Sequence, residues 1–370
     1  MVLVNEPSAV LQVSVNSMAL SQEIDTPSVT ILLDRVQANI DRVQAIVAGA
    51  GIRNRPHIKT HKIPAIARMQ IQAGAIGLTC QKLSEAEAFI EAGVADDILI
   101  TYNIVGRRKL ERLMDLSARV KRLAVVADSE AVLRGISEVA VEHGRTVPFL
   151  VECDTGFGRN GVQTPAAAVA LARYAAALPG VGFEGILTFP VGTDGARTFL
   201  TEALALFAQA GIEVPIVSGG GSPALLKIGD FPMLTEYRAG TYVYNDVMMM
   251  ESGLAKLENC ALHVRSTVVS RPSPDRAIVD AGSKILTREQ YYVKNFGRIV
   301  EYPEAFVSNV TEEHGVIDLS KCERKPEIGD VLNIIPNHCC AVSNMVDNVY
   351  VLSGGEVVDI LPVAARGAVW

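Results

Sequence analysis

Short apolar runs alternate with amphipathic stretches over the first two thirds of the chain. In the first amphipathic stretch the apolar positions recur at spacings of three and four, which predicts a helix, and they are Leu33, Val36, Ile40, Val43 and Val47. Eight strand-like runs then follow, and helical stretches separate most of them. The runs are Arg53–Ile58, Ile76–Thr79, Ile98–Thr101, Leu123–Ala127, Phe149–Glu152, Phe183–Thr188, Pro215–Ser218 and Thr235–Arg238. This pattern predicts an α/β fold with a (β/α)8 TIM-type barrel, and a doubly wound sheet is the alternative.

The pattern changes after about residue 250. Short alternating or apolar runs, separated by turn residues, continue as far as Tyr350–Leu352. This pattern is typical of antiparallel strands, so we expect an all-β C-terminal domain. The apolar run Val29–Leu33 comes before the first predicted helix, and as a ninth strand it must lie outside the barrel.

Composition narrows the class of protein. Of the 370 residues 49% are hydrophobic and 20% are charged, so a sizeable core is available. The net charge is −7 and no basic block stands out, which argues against nucleic acid or an anionic membrane surface as a partner. No run of apolar residues is long enough for a transmembrane helix. The six cysteines lack the spacing of a disulfide framework and residues 1–27 do not resemble a signal peptide, so we expect a reduced, cytoplasmic setting.

The stretch Arg55–Lys62 (RPHIKTHK) places two histidines and two lysines near the end of the first predicted barrel strand. In a barrel of this type the reactive groups stand at the carboxyl ends of the strands. One interpretation of the stretch is a solvated strand end. The other is that Lys59 is desolvated enough to lose its proton and condense with a carbonyl. His57 and His61, in the same stretch, are candidate bases for a later catalytic step.

A glycine-rich turn made of Ser218, Gly219, Gly220 and Gly221 follows the seventh strand. Its backbone N–H groups can cradle a phosphate, and an ordinary turn is the alternative. After the fifth strand, Arg159 stands in a polar loop, where its planar guanidinium suits a phenolate or carboxylate. A lysine, a phosphate cradle and a guanidinium on one rim fit pyridoxal 5'-phosphate. Further candidate cofactor-binding residues on the same rim are Gln81, Thr188 and Tyr242.

The segment Pro336–Cys340 (PNHCC) brings an imidazole and thiols close together. If the segment is an extended strand, His338 and Cys340 point to the same face. Imidazole plus thiolate suits zinc or another divalent ion, and two protein ligands leave room for water and substrate. A buried strand with structural cysteines is the alternative interpretation.

Together these motifs resemble the metal-activated branch of the fold-type III pyridoxal phosphate enzymes, from about Thr26 to Trp370. That branch includes D-threonine aldolase, 3-hydroxy-D-aspartate aldolase and the eukaryotic type of D-serine dehydratase, and it is related to alanine racemase. Each motif alone is modest, but their joint order is specific. Beyond the segments above, the resemblance rests on Gly77–Lys82, Asp154–Val162, Arg238–Tyr242, Val279–Gly282, Glu313–Gly315 and Ala365–Gly367.

The resemblance implies a role for each candidate residue. Lys59 would carry pyridoxal 5'-phosphate, Arg159 would lie near the 3′-oxygen of the cofactor, and Gly219–Gly221 would hold its phosphate. His338 and Cys340 would bind a divalent metal (Mn, Zn, Mg or Co) beside the β-hydroxyl of the substrate.

The resemblance also implies the domain organisation. Residues 34–250 would form the barrel that binds the cofactor, and residues 251–370 would form a β domain that carries the metal site. Residues 1–33 would supply an N-terminal arm and a strand that joins the β domain, which accounts for the ninth strand. Members of the family are usually homodimers, so a homodimer is expected here.

The reaction itself is less sharply defined by the motifs. D-Threonine-type aldolases tend to have an aspartate where Cys340 stands, whereas the dehydratases have the cysteine. The segments Glu312–His314 and Ala365–Gly367 are more similar to those of the aldolases, and Phe189 stands where a tyrosine is common. We expect a D-threonine aldolase-like lyase that cleaves D-3-hydroxy amino acids to glycine and an aldehyde. The alternative is a dehydratase of D-serine or D-threonine that gives ammonia and a 2-oxo acid.

Two other functions rank lower. An amino-acid racemase needs a second base on the opposite face of the cofactor, and it has no use for a metal at His338. A non-catalytic carrier of pyridoxal phosphate consists of the barrel alone, so the predicted β domain argues against it.

Overall fold

An eight-stranded parallel sheet forms the larger domain of the structure, a computed structural model that describes residues 24–370. The strand order is β2-β9-β8-β7-β6-β5-β4-β3. The strands are β2 (Arg53–Asn54), β3 (Leu78–Cys80), β4 (Asp97–Ile100), β5 (Arg122–Ala127), β6 (Val147–Cys153), β7 (Val181–Thr188), β8 (Ile216–Gly220) and β9 (Glu236–Arg238). The predicted N-terminal arm lies, as far as residue 23, outside the described residues.

The two edges of this sheet meet. The Thr79 N–H donates to the Pro56 carbonyl at 2.8 Å and the Ile76 N–H donates to the Asn54 carbonyl at 2.9 Å. His57 and Thr79 also form a parallel β-bridge. The predicted TIM-like arrangement of eight parallel strands is therefore confirmed.

Helices cover the outer face of the sheet, and apolar side chains fill both of its faces. A separate cluster of Leu99, Ala124, Val126, Leu150 and Leu187 packs apart from the main core, as expected for inward-facing positions that alternate with outward-facing ones. The helices are Leu33–Gly49, Pro64–Gln72, Leu83–Glu91, Arg107–Ser117, Glu130–Glu142, Pro165–Ala176 and Asp194–Gln209, and a 3-10 helix, Ser222–Asp230, follows β8. None of the helices between residues 24 and 370 combines the length and hydropathy of a membrane span.

The first barrel strand is shorter than predicted. Only Arg53–Asn54 forms a strand, and Ile58–Thr60 is a 3-10 turn rather than the end of a longer strand. Pro56 has no N–H to donate to a neighbouring strand, which interrupts the ladder. The chain nevertheless stays beside β9 as far as residue 57, because the His57 N–H donates to the Ala239 carbonyl at 2.8 Å.

The second domain is a nine-stranded sheet in the order β11-β14-β13-β12-β15-β10-β1-β16-β17. Strand β10 also pairs with β11, so six of these strands form a closed antiparallel ring. Strand β1 pairs with β10 and β16, as expected for the ninth strand of the sequence. The strands are β1 (Ser28–Leu32), β10 (Leu262–Ser273), β11 (Arg276–Val279), β12 (Gly297–Ile299), β13 (Phe306–Val310), β14 (Gly315–Asp318), β15 (Val331–Pro336), β16 (Asn348–Ser353) and β17 (Glu356–Pro362). The predicted all-β domain is confirmed.

The prediction that Pro336–Cys340 is an extended strand is wrong. Strand β15 ends at Pro336, His338 precedes a helix as its N-cap residue, and the helix Cys339–Ser343 contains Cys340. The Cys339 N–H donates to the buried Asp246 carboxylate at 3.1 Å, which stabilises the first turn of this short helix. Further short helices lie at Val247–Glu251 and Ser283–Leu286, with 3-10 turns at Thr241–Val243 and Leu257–Asn259.

Candidate active site

A cavity of about 330 Å³ lies at the carboxyl ends of the parallel strands and is closed on one side by the β domain. Its volume falls within the range of small-ligand sites, about 300–1,000 Å³. Both domains supply wall residues, which include His57, Lys59, Gln81, Glu152, Arg159, Phe189, Gly221, Ser222, Arg238, Tyr291, Tyr292, His338 and Cys340. Of the residues predicted from sequence, the structure therefore brings Lys59, His57, Gln81, Arg159, Gly221, His338 and Cys340 around one space.

Lys59 reaches the cavity from the 3-10 turn Ile58–Thr60. Burial lowers the pKa of Lys59 below its ordinary value; the nearby charge on Arg159 lowers it further, whereas Cys340 opposes the shift. The lysine Nζ lies 6.0 Å from the centre of the Phe189 ring, so an apolar surface forms part of its surroundings. A desolvated amine of this kind gives up its proton more readily and is then the form that attacks a carbonyl.

His57 is buried beside Lys59 and both of its ring nitrogens have partners. Its Nε2 lies 3.1 Å from the Gln81 Oε1, and its Nδ1 accepts a hydrogen bond of 3.4 Å from the Lys59 backbone N–H. Burial, assisted by the Lys59 charge, holds the pKa of His57 well below its usual value. The ring is therefore neutral, and its contacts hold the lysine turn in place rather than leaving a nitrogen free to take a proton.

Two other predicted site residues lie outside the cavity and share one partner. The Nε2 of His61 lies 3.3 Å from Oε1 of Gln70, and its Nδ1 accepts a hydrogen bond of 3.0 Å from the Ile63 N–H. Burial lowers the pKa of His61 to about 4. The Tyr242 hydroxyl accepts a hydrogen bond of 2.9 Å from Nε2 of Gln70, and burial raises its pKa to about 12. These contacts fill the space between the helix Pro64–Gln72 and the end of the barrel.

Arg238, at the end of β9, lies in the wall of the cavity and was given no role by the sequence. Its Nη2 donates to the Thr188 carbonyl at 2.7 Å and its Nε donates to the Ser218 hydroxyl at 2.7 Å. Ser218 in turn donates to the Glu236 carboxylate at 2.8 Å. Burial lowers the pKa of Arg238 to about 10, although Glu236 and Glu152 oppose the shift. Its place at the carboxyl end of a barrel strand is the sequence signal that could have identified it.

Part of the glycine-rich turn is packed against neighbouring side chains, and only its last residue lines the cavity. Ser218, Gly219 and Gly220 lie behind the cavity wall, and a Cβ at Gly219 would approach the Leu234 side chain to 2.9 Å. Gly221 lines the cavity with φ +114°, a conformation that glycine adopts far more readily than other residues. The turn therefore exposes only its last residue, together with Ser222 at the start of the following 3-10 helix.

Arg159 and Glu152 face each other at the side of the cavity. An Nη2 of Arg159 lies 3.7 Å from the Glu152 carboxylate, which also accepts a hydrogen bond of 2.6 Å from Asn160. The guanidinium carbon lies 5.2 Å from the centre of the Phe189 ring. Burial raises the pKa of Glu152 to about 7, although Arg159 and Arg238 oppose this. Sequence analysis assigned no role to Glu152, which stands near the end of the apolar strand Val147–Cys153 and belongs to no motif.

His338 and Cys340 reach the cavity from the β domain. Nδ1 of His338 forms a hydrogen bond with Glu289, so Nε2 is the ring nitrogen that this carboxylate does not occupy. Sγ of Cys340 lies 3.2 Å from the Thr60 hydroxyl, so the thiol is next to the lysine turn. A hydrogen bond from Cys339, with the charges of His338 and Lys59, holds the pKa of Cys340 well below its usual value. Burial disfavours the charged form of His338, yet Cys340 and Glu289 raise its pKa to about 11.

The residues in the cavity fit pyridoxal phosphate. The guanidinium groups of Arg159 and Arg238 share the space with the amine of Lys59 and a single carboxyl group, that of Glu152, so the site favours an anionic ligand such as a phosphate ester. Ser222 lines the cavity at the start of a 3-10 helix, whose first N–H groups have no partner within the helix. The Gly221 N–H itself donates to the Arg238 carbonyl at 3.4 Å. The aldehyde of the cofactor would have a buried amine within the same space.

The predicted metal site rests on fewer residues than the predicted cofactor site does. Between residues 24 and 370, no group of three or more His, Cys, Asp or Glu side chains is arranged to hold a metal ion. His338 and Cys340 offer one nitrogen and one sulfur, and the Glu289 hydrogen bond to Nδ1 is the kind of contact that orients a metal-binding imidazole. The pair therefore fits a metal that takes two protein ligands and completes its coordination with water or substrate.

Comparisons with known proteins agree with this architecture. A family model described as the alanine racemase N-terminal domain matches residues 31–247, and one described as a putative serine dehydratase domain matches residues 261–352. The chain is 35% identical over 360 residues to D-threonine aldolase from an Arthrobacter species, and the match covers 93% of each chain. It is 31% identical to D-threo-3-hydroxyaspartate dehydratase from Delftia sp. strain HT23, over 86% of this chain and 91% of that protein.

A solved structure gives the same result. The crystal structure of D-threonine aldolase from Filomicrobium marinum matches with a TM-score of 0.86 and 30% identity, over 94% of this chain and 97% of the other. Fold and matches together define the class as the fold-type III pyridoxal phosphate enzymes, which share the alanine racemase-like fold. Within that class, the chain belongs to the D-threonine aldolase and D-serine dehydratase family.

Proposed function

We propose that the protein is a pyridoxal phosphate- and divalent metal-dependent lyase that cleaves D-3-hydroxy amino acids to glycine and an aldehyde. The observation that carries this proposal is the arrangement of two reactive groups around one cavity. Lys59 approaches from the barrel, and the pair of His338 and Cys340 approaches from the β domain. A reaction at the α-carbon and β-hydroxyl of one substrate needs both groups in the same space.

The barrel residues would hold the cofactor. Lys59 would attach it, Arg159 and Arg238 would contact its polar atoms, and Gly221 with Ser222 would face its phosphate. Bound there, the cofactor supplies the electron sink for bond cleavage at the α-carbon. His57 would keep Lys59 in position through the hydrogen bond to its backbone N–H. The apolar rings of Phe157 and Phe189 would exclude water from the space beside Arg159.

The β-domain residues would hold the metal. Nε2 of His338 and Sγ of Cys340 are the donor atoms, and Glu289 would fix the orientation of the imidazole. A divalent metal supplies Lewis acidity, which lowers the pKa of a coordinated hydroxyl group. Thr60 and Thr241 contact the Cys340 sulfur at 3.2 and 3.8 Å, so they would orient the thiolate.

Similarity supports cleavage of the carbon–carbon bond as the reaction. The Arthrobacter relative, at 35% identity over 93% of each chain, is named a D-threonine aldolase. The solved Filomicrobium structure is also that of a D-threonine aldolase. A dehydratase is the second candidate, since Cys340 stands where the aldolases tend to have an aspartate and a Delftia relative is named a dehydratase.

A product assay separates the two candidates. The protein would be incubated with pyridoxal phosphate, Mn²⁺ and either D-threonine or D-serine, with the L-enantiomers as controls. We expect glycine and acetaldehyde from D-threonine and no turnover of the L-enantiomers. Formation of ammonia with 2-oxobutyrate or pyruvate would instead establish the dehydratase, and no product of either kind would reject both candidates.

A homodimer is part of the proposal. Three aromatic side chains of the cavity wall, Phe157, Tyr291 and Tyr292, are exposed, and exposed apolar surface of this kind is typical of an interface. Light scattering on the purified protein would give about twice the mass of one chain if a homodimer forms. The cytoplasmic location and the absence of nucleic-acid or membrane partners stay predictions.

A further inference from the structure

Lys62, three residues after Lys59, is a buried lysine that neither the cofactor nor the metal uses. Only 5% of its surface is exposed, and its backbone has φ +56°, a conformation that glycine adopts more readily. Its Nζ donates to Oδ1 of Asn344 at 2.7 Å and to the Ala368 carbonyl at 3.4 Å. The same Nζ lies 3.4 Å from the Glu85 carboxylate. One ammonium group therefore binds three segments that are distant in sequence.

Two of these segments carry residues of the active site. Asn344 caps the C-terminal end of the helix Cys339–Ser343, which contains Cys340. Glu85 accepts a hydrogen bond of 2.6 Å from the backbone N–H of Gln81, whose side chain lines the cavity and contacts His57. Lys62 thus links the barrel wall to the β-domain wall behind the cavity.

The backbone of Lys62 reinforces this link. Its N–H donates to the Ile58 carbonyl at 2.8 Å, which closes the turn that contains Lys59. Its carbonyl accepts a hydrogen bond of 3.2 Å from the Ala365 N–H. Asn344 accepts a second hydrogen bond, of 3.1 Å, from the Gly367 N–H, so the segment 365–368 packs between Lys62 and the helix.

We propose that Lys62 is a positioning residue that fixes the separation between the Lys59 turn and the helix that carries Cys340. This proposal rests on the proposed function, since that function needs the two walls to act on one substrate. Thr60 and Asp246 hold the N-terminal end of the helix, through the Cys340 sulfur at 3.2 Å and the Cys339 N–H at 3.1 Å. Lys62 holds the other end through Asn344. Loss of the link would let the helix move relative to the lysine turn and would loosen metal binding.

The main experiment changes Asn344, because this end of the link can be removed while Lys62 and Glu85 remain paired. Asn344→Leu removes the acceptor, whereas Asn344→Asp keeps an oxygen for Lys62 and for the Gly367 N–H. Co²⁺ would be titrated into each protein loaded with pyridoxal phosphate and followed through the absorption bands of the bound metal. We expect the dissociation constant of Co²⁺ to rise about tenfold in the leucine variant and to change little in the aspartate variant.

A second variant tests the lysine itself. Lys62→Met alone would leave the Glu85 carboxylate buried without a cation, so it is combined with Glu85→Gln, which keeps the site neutral. We expect this double variant to bind Co²⁺ about tenfold more weakly and to retain the visible absorption band of the lysine-bound cofactor. We also expect kcat to fall by a larger factor than KM changes. Adding Asn344→Leu should then cost less than it does in the wild type, because the Lys62–Asn344 contact is already absent and the only further loss is the hydrogen bond from the Gly367 N–H.

The controls separate positioning from general damage. Lys284→Met removes an exposed lysine that pairs with Glu313 in the β domain, and it should leave Co²⁺ binding unchanged. Unchanged Co²⁺ affinity in both the leucine variant and the double variant would overturn the role of Lys62. Equal weakening in the leucine and aspartate variants would overturn it too. A wild-type protein with no cofactor band and no metal-dependent turnover would overturn the proposed function, and this proposal with it.

Discussion

The two walls of the cavity are built in different ways. On the barrel wall, Arg238 is held at a strand end by hydrogen bonds to the Thr188 carbonyl and the Ser218 hydroxyl, so the sheet itself determines its position. On the β-domain wall, His338 and Cys340 lie where a strand passes into a five-residue helix, and single side-chain contacts determine their positions. The barrel wall is therefore expected to bind the cofactor without the other wall, whereas metal binding depends on a few replaceable contacts.

The largest effect should come from Lys59→Ala, which removes the reactive group of the barrel wall. We expect the visible absorption band of the lysine-bound cofactor to disappear and kcat/KM to fall at least about a thousandfold. Spectra and steady-state rates measure both. The control Lys284→Ala changes an exposed lysine and should alter neither. A Lys59→Ala protein that kept the band would show that another lysine holds the cofactor.

His338→Ala tests the opposite wall. We expect turnover to fall at least about a hundredfold, because a metal ion contributes several kcal/mol to such reactions, while the cofactor band stays at its wild-type intensity. Chelation of the wild type should have the same effect as the substitution. His314→Ala, at an exposed histidine of the same domain, is the matched control and should remain chelator-sensitive and active. Loss of the cofactor band in His338→Ala would contradict the independence of the two walls.

The same contrast explains what the sequence could predict. Parallel strands impose a regular alternation on the chain, so the approximate positions of the strands follow from the pattern, and with them the segments after the strands that carry Lys59 and Arg159. The helix Cys339–Ser343 is too short to show a helical period, and the buried Asp246 carboxylate that caps it lies more than 90 residues away. For that reason the sequence suggested an extended strand there.

The hydrogen-bond partners of polar side chains were the second feature that could not be predicted from the sequence. His61 and Tyr242 have the residue types of an active site and stand near strand ends, yet both form hydrogen bonds with Gln70 outside the cavity. Which polar group meets which partner depends on the packing of a helix against the barrel end, and no local pattern encodes it. Arg238 stands at a strand end, which is a signal in the sequence, but its contacts appear only when β7, β8 and β9 are side by side.

Glu152→Gln tests the barrel wall through the pH dependence of the free energy of unfolding. Burial raises the pKa of Glu152 from about 4.5 to about 7, so the folded protein binds this proton more tightly than the unfolded chain does. The stabilisation is present below about pH 4.5 and is lost as the pH rises to 7, a total of about 3 kcal/mol. Glutamine is neutral at every pH and keeps an acceptor for Asn160. We therefore expect the variant to gain about 3 kcal/mol relative to the wild type between pH 4.5 and 8.

Urea unfolding of the cofactor-free proteins at pH 4.5, 6 and 8 measures this difference. Glu202→Gln changes an exposed glutamate on the helix Asp194–Gln209 and should give a difference that does not vary with pH. If the Glu152→Gln difference is equally flat, the carboxylate is compensated by Arg159 and the barrel wall carries no buried charge imbalance.

Ser218→Ala should have the smallest effect and decides between two roles for one residue. The sequence favours Ser218 as part of a phosphate cradle, whereas the structure places its hydroxyl between Glu236 and Arg238, away from the cavity. Removing the hydroxyl leaves two buried charged groups without their shared neutral partner, which should cost about 1–2 kcal/mol of stability. The dissociation constant of pyridoxal phosphate should rise only a few fold, because Arg238 keeps its bond to the Thr188 carbonyl. A large loss of cofactor affinity with unchanged urea unfolding would instead indicate that Ser218 binds the phosphate. The barrel wall would then depend on single contacts, as the β-domain wall does.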